Sequence, residues 1–182
     1  MVSAMHFFIS FLAGFGLLAA LGYAWWQLVD RRFTVLTPGE VYRAAAMKPE
    51  ALQRLVQKRN IRTVYDLRTD TEGDVEGEKA ALKAVGCRHI HLKSRQVPDE
   101  DTRDRFLKDI EDPANRPALI HCTHGEGRAV LFGALWLIEF KGVPPARARK
   151  MCRMITTRGS TFDLDREKGQ YLEGYRKSNH AG

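Results

Sequence analysis

The stretch "ALIHCTHGEGRAVLFGALWLIEF" carries an apolar run straight into a loop with two glycines and out into an apolar helical segment. A short run without polar alternation reads as a strand buried on both faces, which in a chain of this kind belongs to a parallel sheet. The rest of the soluble part agrees. "FTVLTPGEVYRAAAM" is extended with a turn at Pro38-Gly39, and "PEALQRLVQKRN" is helical from Pro49, with Leu52, Leu55 and Val56 on one stripe. "IRTVYDLRTD" reads as a strand, "EGEKAALKAVGC" as a helix stopped at Gly86, and "RHIHL" as a strand. "DEDTRDRFLKDIED" reads as a helix before breaks at Pro113 and Pro117; Gly142, Pro144 and Pro145 then set off "ARARKMCRMITTR", and a last polar helix lies near "REKGQYLEGYRK". Alternating strands and helices predict an α/β fold, a central mostly parallel sheet flanked by helices.

The first 29 of the 182 residues hold no Lys, Arg, Asp or Glu. Residues 7–29, "FFISFLAGFGLLAALGYAWWQLV", are uncharged, and at about 1.5 Å per residue they are long enough to cross a hydrocarbon core of about 30 Å. Tyr23, Trp25 and Trp26 gather at the far end, where amphipathic rings favour the interface. A cleaved signal peptide is the competing reading, but the segment lacks a basic n-region and exceeds an ordinary h-region. The expected organisation is a single transmembrane anchor over residues 1–29 and a catalytic domain over 30–182. Arg31, Arg32, Arg43 and Lys48 follow the span, which predicts a cytoplasmic domain on a single-pass protein, with a bacterial inner membrane as the expected site.

The net charge of +7 favours an anionic partner: a phosphate, a membrane surface or nucleic acid. No Lys/Arg-rich tract with interleaved aromatics is present, so nucleic acid is not expected. Cys87, Cys122 and Cys152 lie far apart without a CxxC, which argues against a disulfide scaffold or zinc ribbon and leaves Cys87 and Cys152 as small core residues.

Cys122 differs, because it stands at the base of the glycine loop. Amides of a loop between strand and helix converge on one point, with Gly125 and Gly127 allowing the turns, and a helix N-terminus adds positive potential. That field favours thiolate over thiol. Arg128, opening the next helix, presents a planar fork to two phosphate oxygens. A nucleophile, an amide cradle and a guanidinium together fit phosphoryl transfer.

The motif "HCTHGEGR" resembles the His-Cys-x5-Arg loop of the cysteine-based protein tyrosine and dual-specificity phosphatase superfamily, nearest to the atypical dual-specificity type. The resemblance extends from about residue 38 to residue 158. It implies Cys122 as nucleophile, Arg128 as phosphate clamp and His121 as the residue that orders the loop. It also implies that Thr123, His124, Gly125, Glu126 and Gly127 supply amides to the substrate, with no metal and no cofactor. The substrate class so implied is a phosphorylated protein or a membrane-associated phosphate.

The chain departs from that pattern in places. Ala129 stands where the family has a Ser or Thr whose hydroxyl helps the thiolate leave, so hydrolysis of the intermediate is expected to be slow unless Thr123 or water substitutes. The family's general-acid Asp falls where this chain reads "HLKSRQ". Asp99 and Asp101 are the nearest carboxylates; they serve either as that acid or as the acidic start of a helix. Glu126 is expected to repel highly phosphorylated inositol headgroups. Arg68 is expected to line the pocket rim or to stand solvated at a strand end. A phosphate-binding module of weak activity is the alternative to an enzyme, and a rhodanese-like sulfur transferase ranks third, because its loop is shorter.

Overall fold

The computed structural model describes residues 11–12, 14–22, 33–152 and 161–177. The chain divides into two compact units, Met1–Arg32 and Phe33–Gly182. In the first, residues 11–12 and 14–22 are helical (α1) with exposed side chains. Among the described residues no helix is long and apolar enough to cross a membrane. The remainder of the expected anchor, including Tyr23, Trp25 and Trp26, lies outside the described residues, as does all of "RMITTR".

The second unit is a five-stranded sheet in the order β1-β2-β5-β3-β4, formed by β1 (Thr34–Thr37), β2 (Val41–Ala45), β3 (Thr63–Asp66), β4 (Arg88–His91) and β5 (Ala118–Cys122). All pairings are parallel except β1 with β2. The extended segment expected before Pro49 is thus a hairpin, turning at Gly39 with φ of 72°. The mostly parallel sheet matches the sequence expectation.

Side chains on these strands alternate between two cores, as the pleat requires. Tyr65 and Ile120 point to one face, where they meet Phe106 and Ile110 of α4 (Glu100–Glu111) and Phe132 and Trp136 of α5 (Arg128–Lys141). Val64 and Leu119 point to the other, against Leu52 and Val56 of α2 (Pro49–Arg59) and Leu82 of α3 (Val75–Ala84). Each such side chain contributes roughly 1.5–3 kcal/mol on burial. Two short helices, α6 (Pro145–Met151) and α7 (Glu167–Gly174), pack on each other beside α5.

Helix boundaries have local causes. Asp99 accepts from Thr102 N at 2.8 Å and Asp74 from Gly77 N at 2.8 Å, satisfying amides that a helix start leaves unpaired. Gly142, at φ of 66°, closes α5 in the left-handed region.

Register brings the site together. Cys122 is level with Ala45 of β2, and His121 with Asp66 of β3. The carboxyl ends of the three central strands therefore share one edge, the usual place for ligands in open α/β sheets.

Candidate catalytic loop

Cys122 ends β5 with 3 % of its surface exposed, its carbonyl accepting from Ala46 N at 2.8 Å. The chain then turns at Gly125, whose φ is 66°. A Cβ there would stand 2.7 Å from Ala45 N and 3.0 Å from the Ala44 carbonyl carbon, so only glycine lets the loop lie against the end of β2. Arg43 fixes this contact: Nη1 donates to the Gly125 carbonyl and Nη2 to Thr34 Oγ1. Gly127 caps α5 and offers no side chain to its first turn, so those amides remain for a ligand. Thr123, Glu126 and Gly127 are half-buried and His124 is exposed.

Arg128 opens α5 and is buried. Nη1 donates to the Leu67 carbonyl at 2.9 Å and to Glu72 at 2.7 Å; Nη2 donates to Glu72 at 2.5 Å. Glu72 thus caps the Nη1–Nη2 end of the guanidinium and leaves the Nε edge directed elsewhere. The Glu72 carboxylate also accepts from Thr123 Oγ1 at 2.9 Å and from Thr69 N at 2.7 Å. The Arg128 guanidinium, aided by these donors, holds the Glu72 carboxyl far below the usual range, so it is an ion pair and not a proton donor. The Thr123 hydroxyl is committed to Glu72 and is not free to replace the hydroxyl missing at Ala129.

Beneath the loop lies a buried charge network. Arg68, 3 % exposed, donates to Asp66 through Nε at 2.9 Å and Nη2 at 2.8 Å, and to Glu78 at 2.6 Å. Both expectations for Arg68 are corrected: the two carboxylates draw the guanidinium inward, away from rim and solvent. His121 Nε2 lies 2.8 Å from Glu78 Oε1, which fixes the imidazole that precedes the nucleophile. His89 Nε2 stands 3.3 Å from Glu78 and 3.6 Å from Asp66. Burial disfavours the charged imidazole, but the two carboxylates outweigh it and lift the His89 pKa to about 9. Burial likewise opposes the Glu78 anion, and His121, His89 and Arg68 overcome it, bringing the pKa down to about 2. Ligand-type atoms of Asp66, Glu78 and His121 lie within 4.8 Å of one another. Arg68 already spans the two carboxylates, so the cluster is a neutralised ion-pair network.

The expected acids stand on α4. The Asp99 carboxylate is the helix cap, and Asp101 faces Arg105 at 3.8 Å. At the loop itself, Gln96 and Lys168 come up to Gly127: a Cβ there would lie 3.4 Å from Gln96 Oε1 and 3.3 Å from Lys168 Cε. The other two thiols lie in the core, where burial pushes Cys87 up to about 11 and Cys152 up to about 12. Arg43, Glu72, Glu78 and Lys168 were not legible from spacing; the turn-and-acid run "RTDTEGDVEGE" was the one local hint of the acids.

A cysteine at a strand end, an amide loop and an arginine on the next helix, set in a mostly parallel sheet, define the cysteine-based dual-specificity phosphatase superfamily. Residues 19–167 match the family model described as DSP-PTPase phosphatase fused to NAD+ kinase, and the chain belongs to that family. Its fold is similar to P. aeruginosa TpbA, with 24 % identity, 77 % of this chain and 82 % of that chain covered, and a TM-score of 0.59. It is similar to the core catalytic domain of the PP-IP phosphatase SIW14 from S. cerevisiae, with 20 % identity, coverage of 79 % and 85 %, and a TM-score of 0.64. A third likeness is Tk-PTP in its active form, at 20 % identity, coverage of 79 % and 97 %, and a TM-score of 0.58. No curated protein matches the chain by sequence.

Proposed function

We propose that the chain hydrolyses phosphomonoesters through a phosphocysteine on Cys122. The observation that carries this reading is the pairing of Cys122 with Arg128 across one loop, the guanidinium clamped by Glu72 and Leu67 so that its Nε edge stays available. The Cys122 sulfur attacks phosphorus in line; the S–P bond forms, the ester P–O bond breaks and the alkoxide or aryloxide leaves, taking its proton from solvent water. Water then attacks phosphorus, the S–P bond breaks, and inorganic phosphate and thiolate are released. Amides of residues 123–128 and Arg128 stabilise the equatorial oxygens in both steps. With Asp99 engaged as a helix cap, esters whose alcohols leave readily, such as phosphotyrosine, are the favoured substrates. TpbA has also been solved as a cysteine-to-serine variant with pTyr, which makes that class the first to assay.

The uncharged run of residues 7–29, with apolar α1 side chains such as Phe15 and Leu18 exposed, supports a membrane anchor over residues 1–29, and Arg31, Arg32, Arg43 and Lys48 after it favour the cytoplasmic side, close to phosphorylated proteins or membrane-borne phosphates. A weakly active phosphate-binding module is the second reading, favoured by the absent hydroxyl at Ala129.

The deciding experiment is an aryl phosphate assay on the full chain in detergent, with Cys122→Ser and Arg128→Ala beside it. Turnover lost in both variants supports the enzyme, and turnover surviving Cys122→Ser places the chemistry elsewhere. Phosphate binding without turnover supports the module. A reporter fused after Gly182 should sit on the cytoplasmic side, and protease access from the outer face of sealed cells would reverse that assignment.

A further inference from the structure

Lys168 lies in the first turn of α7, outside residues 121–128 and one residue past the end of the family match. It is 8 % exposed, and among the described residues it forms no hydrogen bond and no ion pair. The side chain comes to the loop at Gly127, where a Cβ would stand 3.3 Å from Cε and 3.5 Å from Nζ. A larger residue at 127 would therefore press on it. Burial and the nearby Arg128 charge disfavour its ammonium form, while Glu167 and Cys122 favour it, and burial wins. A cation withdrawn from water is ordinarily matched by a counter-ion. Among the described residues none stands at contact distance.

The direction of approach is informative. On the phosphatase reading, the amides of residues 123–128 cradle the phosphoryl group and Arg128, held at Nη1 and Nη2 by Glu72, completes that cradle. Lys168 meets the loop where the side chain of residue 127 would project, which is its outer rim. Gln96 stands at the same point, 3.4 Å from that Cβ position. A ligand group held by Lys168 is thus beside the scissile phosphoryl group, not the group itself.

We propose that Lys168 binds a second anionic group of the substrate, which makes phosphomonoesters with a neighbouring carboxylate or phosphate the preferred class. The proposal rests on the phosphatase reading above. Gln96, from the loop between β4 and α4, donates or accepts beside the same group.

The test compares meta- and para-carboxyphenyl phosphate with their carbamoyl counterparts, which match them in shape and lack the charge. For the full chain in detergent, kcat/KM should favour the carboxylate at least tenfold at one of the two ring positions. Lys168→Met should bring that ratio close to one, and Lys168→Arg should keep it. Lys168→Gln serves equally if the Met variant fails to fold. No preference in the unaltered chain, or a preference that survives Lys168→Met, overturns the proposal. Equal loss with both substrate types also overturns it, since that pattern marks support of the thiolate. Should the unaltered chain turn over neither substrate, the phosphatase reading fails alone. The same ratio is then measured as Kd by calorimetry on Cys122→Ser, where a ratio of one overturns the role of Lys168 and a Lys168-dependent tenfold ratio upholds it.

Discussion

Glu72 closes one end of the Arg128 guanidinium with two hydrogen bonds, of 2.7 and 2.5 Å, and its other contacts tie it to Thr69 and Thr123. The carboxylate comes from the loop after β3, so a residue 56 positions away aims the phosphate clamp. Charge-assisted bonds of this kind are worth about 1.5–3 kcal/mol. Glu72→Gln keeps the volume and removes the charge; kcat/KM for an aryl phosphate should fall by roughly 10- to 100-fold. Steady-state kinetics with a parallel melting curve checks this, and an unchanged or raised kcat/KM would make Glu72 a blocker of the site, not its guide.

Gly125→Ala should damage the loop more than its size suggests. The added methyl meets the backbone of Ala44 and Ala45, which cannot move without the sheet, and the residue sits at positive φ. The expected result is loss of phosphate protection and of activity, with destabilisation of about 1–3 kcal/mol. Denaturant melts and phosphate titration report both, and wild-type phosphate affinity in this variant would show that the loop reaches its shape without the close approach.

Stability should depend on pH through the network under the loop. His89 has its pKa raised from 6.5 to about 9, so its contribution is complete below pH 6.5 and is lost as pH rises through 9. Glu78 has its pKa lowered from 4.5 to about 2, so its contribution is complete above pH 4.5 and is lost as pH falls toward 2. Thermal midpoints should therefore peak between about pH 5 and 6.5, with an alkaline decline worth up to about 3 kcal/mol. His89→Gln should flatten the alkaline side, and a flat wild-type profile from pH 6 to 9.5 would contradict the assignment.

Ala129 is fully buried in the first turn of α5 and carries no hydroxyl, and the Thr123 hydroxyl is held by Glu72, so neither position is free to assist the departing thiolate. If breakdown of the phosphocysteine limits turnover, rapid quench should show a burst of aryl alcohol near one per enzyme. Ala129→Ser should then raise the steady-state rate roughly five- to thirty-fold with little change in the burst. The absence of a burst, with Ala129→Ser inert, would place the slow step at leaving-group departure.

The α/β class, the helices around Leu52, Phe106 and Phe132, and the Cys122–Arg128 loop were legible because periodicity and a strand–glycine–helix succession are local signals. The hairpin of β1 and β2 was half visible: the turn at Pro38-Gly39 showed, but the pairing of β2 with β5 is set by the register Ala45 to Cys122, which has no local mark. Arg68 was misplaced because an arginine after a strand looks solvated until Asp66 and Glu78 are seen on either side of it. Glu72 and Lys168 stayed hidden for the same reason: each acts at a distance of forty or more residues along the chain.

The contact of Gly125 with β2 bears on what could be moved to another protein. Eight residues, 121–128, spell the motif, yet a transplant of those eight onto a foreign strand–loop–helix would carry neither the Arg43 prop, nor the Glu72 guide, nor the Glu78 anchor. The heritable unit is the sheet edge together with its three supports, and a designer seeking this chemistry would have to copy the scaffold to obtain the loop.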